Sequence, residues 1–216
     1  MNEPAIRMEE QILSLFQDRE TQICQGWILK KMGGHLCVYP LYYKYSQGNI
    51  PDNIQKCEKI SRRSGLNCVF RIVEHTNYHL SSILTDKGYV LKKCGVVGEW
   101  NIMEDAGNLY APRKTQDSLF LRNGAEGENA EYTMADTDMV IGIKRQELLF
   151  LPDGNLPDLG IEDILWFSAD NGVTRILADI PGKEELPEQY VRAGFHRAYL
   201  YRCYQKEEKS SKEQED

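Results

Sequence analysis

The sequence has little of what usually marks a metal site or a covalent catalytic centre. Its six cysteines include no Cys-x-x-Cys pair and its four histidines are scattered. His75 and His79 lie four residues apart but without the glutamate of a His-Glu-x-x-His helix. The motifs of a Ser/His/Asp triad, a P-loop and a dinucleotide-binding turn are also missing. We therefore expect no metal site, and we expect the cysteines to be reduced thiols in the core.

Positive charge and long apolar runs are also scarce. The chain has 26 Lys and Arg against 33 Asp and Glu, a formal net charge of −7. Because nucleic acid binds to basic surfaces, this balance argues against nucleic acid as a partner. No apolar run approaches the ~20 residues that span a bilayer, and the acidic N-terminus lacks the apolar core of a signal peptide. The sequence predicts no membrane partner and a cytoplasmic location.

What the sequence does contain is one set of landmarks that occurs twice. The matched landmarks lie 106 or 107 residues apart: Asn49-Ile50-Pro51-Asp52 with Asn155-Leu156-Pro157-Asp158, Gly65 with Gly172, and Gly88-Tyr89 with Gly194-Phe195. The repeat predicts an N-terminal half at residues 1–100 and a C-terminal half at residues 101–206. The charged, apolar-free residues 207–216 are expected to be a disordered tail.

Each copy has the pattern helix, strand, helix, strand, with glycines closing the helices. Ahead of the first copy, residues 4–20 predict an amphipathic helix whose apolar face contains Met8, Ile12, Leu15 and Phe16. Strands that alternate with helices of this length indicate an α/β protein, in the form of an α+β sandwich. We expect mixed, mostly antiparallel sheets flanked by helices.

This order of elements resembles the GNAT superfamily of acyl-CoA N-acyltransferases. The segment Tyr190-Val191-Arg192-Ala193-Gly194-Phe195 and the aromatic strand after it resemble the last motif of that family, which commonly has Tyr, two or three residues, then Gly and Phe. Gly26–Leu29, Gly33-Gly34 and Val38–Leu41 resemble the opening hairpin in the N-terminal half of tandem members. The resemblance covers about residues 5 to 206 and implies two tandem GNAT-like halves.

The resemblance also implies an activity. Such an enzyme binds an acyl-CoA, commonly acetyl-CoA, beside an amine of a small molecule or peptide and transfers the acyl group directly in a ternary complex. Tyr190 falls where the family's acid protonates the leaving thiolate, although it could equally be a residue that packs on the sheet. Glu147 and Asp179 are the candidate bases for the amine.

Cofactor contacts implied by the resemblance fall on one strand and the turn after it. The strand residues are Leu149, Phe150 and Leu151, and the turn residues are Gly154, Asn155 and Leu156. The family's turn reads Arg/Gln-x-x-Gly-x-Gly/Ala and holds the pyrophosphate through backbone N–H groups. Here residues 152–157 contain one glycine and no basic residue, and Asp153 and Asp158 add negative charge.

That departure leaves a second hypothesis open. The chain could be a degenerate GNAT-like protein that keeps the fold, has lost the cofactor and acts as a binding or dimerisation module. A third alternative is an α/β ligand-binding protein unrelated to acyl transfer. The sequence does not fix the oligomeric state, and a homodimer stays open.

Overall fold

The computed structural model describes residues 3–15, 21–32, 34–41, 49–74, 76, 78–101, 120–123, 129–134, 140–144, 147–151 and 158–207. The helices are α1 (Glu3–Leu15), α2 (Ile50–Arg63), α3 (Tyr78–Asp86), α4 (Asp158–Asp170) and α5 (Glu188–Arg192). The strands are β1 (Thr21–Cys24), β2 (Trp27–Met32), β3 (His35–Tyr39), β4 (Asn67–Val73), β5 (Tyr89–Asn101), β6 (Phe120–Asn123), β7 (Asn129–Met134), β8 (Val140–Lys144), β9 (Glu147–Leu151), β10 (Arg175–Pro181) and β11 (His196–Lys206).

The chain divides into two compact units whose segments are not contiguous in sequence. Unit 1 comprises Met1–Asn2, Asp18–Lys93 and Tyr201–Asp216, and unit 2 comprises Glu3–Gln17 and Cys94–Leu200. Strands β5 and β11 therefore each contribute residues to both units. The predicted boundary at residue 100 stays a prediction.

Unit 1 is a sheet in the order β1-β2-β3-β4-β11 with helices α2 and α3. Trp27, Phe70 and Tyr89 form the aromatic centre of its core, with ring centroids 6.1 and 5.2 Å apart in edge-to-face contacts. Helix α2 begins at a cap, because the Asn49 side chain accepts a hydrogen bond from the Asp52 N–H at 2.8 Å. The predicted hairpin of β2 and β3 is confirmed.

Unit 2 is a sheet in the order β5-β10-β9-β8-β7-β6. Its core consists of alternate residues of β5 and β10, the buried face of α4, and the rings of Tyr190 and Phe195. The mixture of antiparallel and parallel pairs flanked by helices confirms the predicted fold class. The arrangement as two tandem family-like halves stays a prediction.

Within the described residues, each unit contains a parallel strand pair whose members are joined by a helix, which is the usual crossover between parallel strands. In unit 1, β3 and β4 pair from His35 opposite Asn67 to Val38 opposite Phe70, with α2 between them in the chain. In unit 2, β9 and β10 pair over four residues in the same way, with α4 between them. Gly65 and Gly172 thus fall on equivalent connections, each between the helix and the second strand of the parallel pair.

Helix α1 is described from Glu3 to Leu15, and the rest of the helix predicted over residues 4–20 lies outside the described residues. Its described buried residues are Ala5, Ile6, Glu9, Ile12 and Leu13. Met8 is half-buried, and Phe16 lies outside the described residues. Of the predicted face, Ile12 is therefore confirmed as buried, and the buried face also includes Glu9, which the apolar pattern did not indicate.

Candidate functional site

The parallel strand pair of unit 2 contains five of the predicted site residues, namely Glu147, Leu149, Phe150, Leu151 and Asp179. Strand β9 pairs with β10 from Glu147 opposite Arg175 to Phe150 opposite Ala178. On its other side, β10 pairs with β5 as far as Pro181 opposite Gly95. Strand β10 therefore continues from Asp179 to Pro181 beyond the part that is paired with β9. This strand end is the candidate functional site.

The two candidate bases do not lie together. Asp179 is the first residue of β10 beyond the paired segment and is 6% exposed. Glu147 begins β9 opposite Arg175, four residues before Asp179 on β10, so the two positions are about 13 Å apart along the strands. One amine could not contact both carboxylates, and only Asp179 is at the strand end.

Tyr190 lies in the core of unit 2. Its side chain is 2% exposed and its ring meets Phe195 edge to face at 5.6 Å. It belongs to the core cluster that contains Ala178 and Ile180, the chain neighbours of Asp179. Because neighbouring strand residues point to opposite faces, Tyr190 and Asp179 lie on opposite faces of β10. Burial raises the pKa of the Tyr190 phenol, so the hydroxyl keeps its proton at neutral pH.

The predicted cofactor contacts are only partly described. Leu149 lies opposite Leu177 and Phe150 opposite Ala178, and Leu151 ends β9. Gly154, Asn155 and Leu156 lie outside the described residues. Helix α4 begins at Asp158, so a carboxylate-bearing residue is the first of the helix that follows the turn.

A buried polar pair lies between α1 and β11 in unit 2, and the sequence analysis missed it. The Tyr199 hydroxyl donates a hydrogen bond to the Glu9 carboxylate. Glu9 is 0% exposed and Tyr199 is 4% exposed. A glutamate between the apolar residues Ile6 and Ile12 at helical spacing was the available signal, although spacing alone does not name the partner.

A second polar network joins α1 to strands β5 and β10. Arg175 donates to Glu99 at 2.6 Å and to Gln11 at 3.0 Å. His196 Nε2 lies 3.4 Å from the other Glu99 oxygen. Arg175 stands opposite Glu147 in the parallel pair, so this network marks the end of β10 that is remote from Asp179.

Within the described segments, no three His, Cys, Asp or Glu side chains are placed to hold a metal ion. Among the helices that the structure describes, none combines the length and apolar character needed to cross a membrane.

Comparison with known proteins finds similarity in structure and not in sequence. Neither a protein-family model nor a curated protein matches the chain. A GCN5-related N-acetyltransferase from Kribbella flavida aligns with a TM-score of 0.59 at 11% identity, covering 94% of this chain and 96% of that protein. A GCN5-related N-acetyltransferase from Sphaerobacter thermophilus aligns with a TM-score of 0.55 at 12% identity, covering 83% of this chain and 76% of that protein.

A third solved structure, a functionally unknown conserved protein from Staphylococcus epidermidis, aligns with a TM-score of 0.54 at 8% identity. That alignment covers 91% of this chain and 97% of the other. Identities this low establish the architecture alone. The resemblance seen in the sequence is confirmed at that level: the chain has the fold of the GCN5-related N-acetyltransferases.

Proposed function

We propose that the protein is an acyl-CoA-dependent N-acyltransferase. It transfers the acyl group of acetyl-CoA directly to an amine of a small molecule or peptide. The observation that carries this proposal is the fold shared with the Kribbella flavida N-acetyltransferase over 94% of this chain. The strand end of β10, with Asp179 beyond the last residue paired with β9, supports the same function.

The residues at this strand end fit the acyl part of the donor better than its diphosphate. Backbone groups at the ends of β9 and β10 would hold the pantetheine arm by hydrogen bonds, as a peptide-like chain requires. The donor supplies a thioester, whose carbonyl carbon the amine attacks. At the diphosphate end, Asp153 and Asp158 oppose the negative charge, and each charged hydrogen bond not made loses about 1.5–3 kcal/mol. We therefore expect weak binding of the cofactor.

Tyr190 is the candidate acid, which donates its proton to the leaving thiolate, since its raised pKa keeps the phenol protonated. Asp179 is the candidate base at the strand end, but it lies on the opposite face of β10 from Tyr190, so the two side chains could not both contact one reacting centre. Glu147, about 13 Å along the strands, is the weaker candidate.

Thermal unfolding with and without acetyl-CoA tests the proposal directly. A ligand that binds the native state at about 100 times its Kd adds ~2.7 kcal/mol, which raises Tm by about 5–10 °C in a chain of this size. If saturating acetyl-CoA leaves Tm unchanged, the proposal fails.

The role of Tyr190 is tested by substitution. In an assay that follows free CoA over a panel of amines, Tyr190→Phe should lower kcat by about 100-fold or more if Tyr190 is the acid. Tyr204→Phe is the matched control, because it also removes a buried phenol hydroxyl, 7% exposed, from the core of unit 1. Equal activity of both variants would make Tyr190 a packing residue.

One observation favours the alternative of a non-catalytic binding or dimerisation module. Strand β9 is paired with β10 over four of its five residues, so the two strands stay side by side along most of β9. The same experiments separate the two functions. A module that has lost the cofactor shows neither the Tm rise nor release of CoA, and it should instead sediment as a dimer or bind a partner.

A further inference from the structure

All four cationic side chains of helix α2 are exposed. They are Lys56, Lys59, Arg62 and Arg63, in a chain whose net charge is −7. Positions 56, 59 and 63 share one side of a helix, and they span about 10 Å at about 1.5 Å per residue. We call these four residues the basic stripe. A surface of this charge attracts acidic groups.

The acidic residues of α2 do not neutralise the basic stripe. The helix has two, Asp52 in its first turn and Glu58. Asp52 accepts a hydrogen bond from the Asn49 side chain at the N-terminal end of the helix. Glu58 lies 2.7 Å from Lys206 Nζ and accepts from the Tyr89 hydroxyl at 3.0 Å. The two arginines of the stripe also outweigh the partial charge of the helix C-terminus, about −0.5. Within the helix, positive charge therefore exceeds negative charge.

The chain leaves its last strand beside the same end of α2. Lys206 ends β11, and its ammonium group makes the contact with Glu58. Gln205 pairs with Val69 near the start of β4, the strand that directly follows α2. Because β4 and β11 are antiparallel, the chain leaves β11 toward the C-terminal end of α2. Glu207, the next residue, is exposed there.

The segment that begins at this point has the opposite charge. Residues 207–216 contain five acidic residues, two lysines and no apolar side chain. Ten residues reach about 33 Å when fully extended, about three times the length of the basic stripe. The segment is therefore long enough to lie along the whole stripe, and charge is the property by which α2 would recognise it.

We propose that residues 207–216 dock on the basic stripe of α2. The carboxylates of the segment pair with the ammonium and guanidinium groups of the stripe. Because the segment is attached beside the stripe, its effective concentration is of millimolar order, so weak pairs suffice. Exposed pairs contribute little to global stability and weaken with salt. Docking therefore sets where the segment lies, with little change in Tm, and it limits the access of other acidic partners to α2.

Zero-length cross-linking of the full chain tests this proposal. A carbodiimide joins a carboxylate to an amine where the two are in contact, and peptide mapping locates the new amide. We expect cross-links from residues 207–216 to Lys56 and Lys59, with a yield at least about threefold lower in about 0.5 M NaCl. Lys92 and Lys93, exposed lysines of β5 in the same unit, should couple less. The assay contains no acetyl-CoA, so its outcome is independent of the proposed acyl transfer.

Two double variants remove the same charge from different elements. Arg62→Gln with Arg63→Gln keeps both lysines of the stripe and should lower their cross-link yield at least about threefold. Lys92→Gln with Lys93→Gln is the matched control and should leave that yield unchanged. All four side chains are exposed, and melting curves check that both variants fold. The salt series on the unaltered chain needs no variant.

Four results would overturn the proposal. The first is no coupling between the segment and α2. The second is coupling to Lys92 and Lys93 that is as efficient as coupling to Lys56 and Lys59. The third is a yield at the stripe that neither salt nor the loss of the two arginines lowers. The fourth, in a mixture of normal and heavy-isotope chains, is coupling that joins one chain to another, which would assign the stripe to a second copy.

Discussion

At the scale of single residues, the Glu9–Tyr199 pair is the clearest source of stability outside the apolar cores. A buried carboxylate that loses a donor costs about 1–3 kcal/mol, and more when it stays charged. We expect Tyr199→Phe to lower the free energy of unfolding by at least this amount, as measured by urea denaturation, because Glu9 is 0% exposed. Glu9→Gln should cost less, since its amide oxygen still accepts from the Tyr199 hydroxyl.

The matched control is again Tyr204→Phe, which removes a hydroxyl from a residue that is 7% exposed. If Tyr199→Phe costs no more than Tyr204→Phe, the pair contributes no net stability. A double-mutant cycle that combines Tyr199→Phe with Glu9→Ala, which removes the acceptor, measures the coupling between the two side chains directly.

The same pair shows what the sequence could predict at this scale. Helical periodicity located α1, and Ile12 was placed correctly on its apolar face. It could not predict that a glutamate on that face is buried, because the partner hydroxyl is 190 residues away. Likewise, Asp179 could be named as a candidate from sequence, whereas its position just beyond the residues of β10 that pair with β9 depends on the register of two strands.

At the scale of elements, the sequence could predict that glycines end the helices of both copies. It could not predict which side chains pack against these glycines. Gly88 and Gly194 end equivalent short helices, with φ of 80° and 95°, values that favour glycine in both copies. An added Cβ at Gly194 would lie 2.8 Å from Trp100 Nε1, whereas at Gly88 no atom lies within 4 Å. Only the tertiary packing of β5 creates this difference.

The two glycines therefore form a matched pair of variants. Gly88→Ala should cost about 1–2 kcal/mol, the conformational cost of a left-handed residue with a side chain. Gly194→Ala should cost this plus about 1–3 kcal/mol for the displaced Trp100 ring. Denaturant unfolding measures both, and the indole fluorescence of Gly194→Ala should shift as well. Equal losses in the two variants would mean that Trp100 moves aside at no cost.

At the scale of the whole molecule, the repeated glycines Gly65 and Gly172 each lie between a helix and the second strand of a parallel pair, but the pairing of the last strands did not follow from the repeat. The apolar pattern of a strand specifies which face is buried and says nothing of which strand lies beside it. Residues 201–206 of β11 belong to unit 1, where Tyr201 lies opposite Val73 and Gln205 opposite Val69. Residues 94–101 of β5 belong to unit 2 and pair with β10.

Residues 201–206 belong to unit 1 and residues 94–101 belong to unit 2. We therefore predict that the two halves defined from the sequence, residues 1–100 and 101–206, do not fold separately. A chain truncated after Leu200 lacks the strand that pairs with β4, together with the buried rings of Tyr201 and Tyr204. The exposed edge of β4 and the lost apolar burial should abolish cooperative unfolding of unit 1. Amide hydrogen exchange of Val69 to Val73 measures this directly, and exchange in the truncated chain should approach that of unfolded peptide.

Removal of residues 208–216 alone is the control, because it leaves every strand pair of β11 in place. That chain should keep the protection of β4 and a Tm within about 2 °C of the full chain, since the composition of the removed residues predicts a disordered tail. If a fragment of residues 1–100 unfolds cooperatively and its β4 amides are protected, unit 1 does not need residues 201–206 to fold. That result would support the boundary at residue 100. If adding residues 101–216 in trans instead restores the protection, strand β11 is the missing part, and unit 1 requires both ends of the chain to fold.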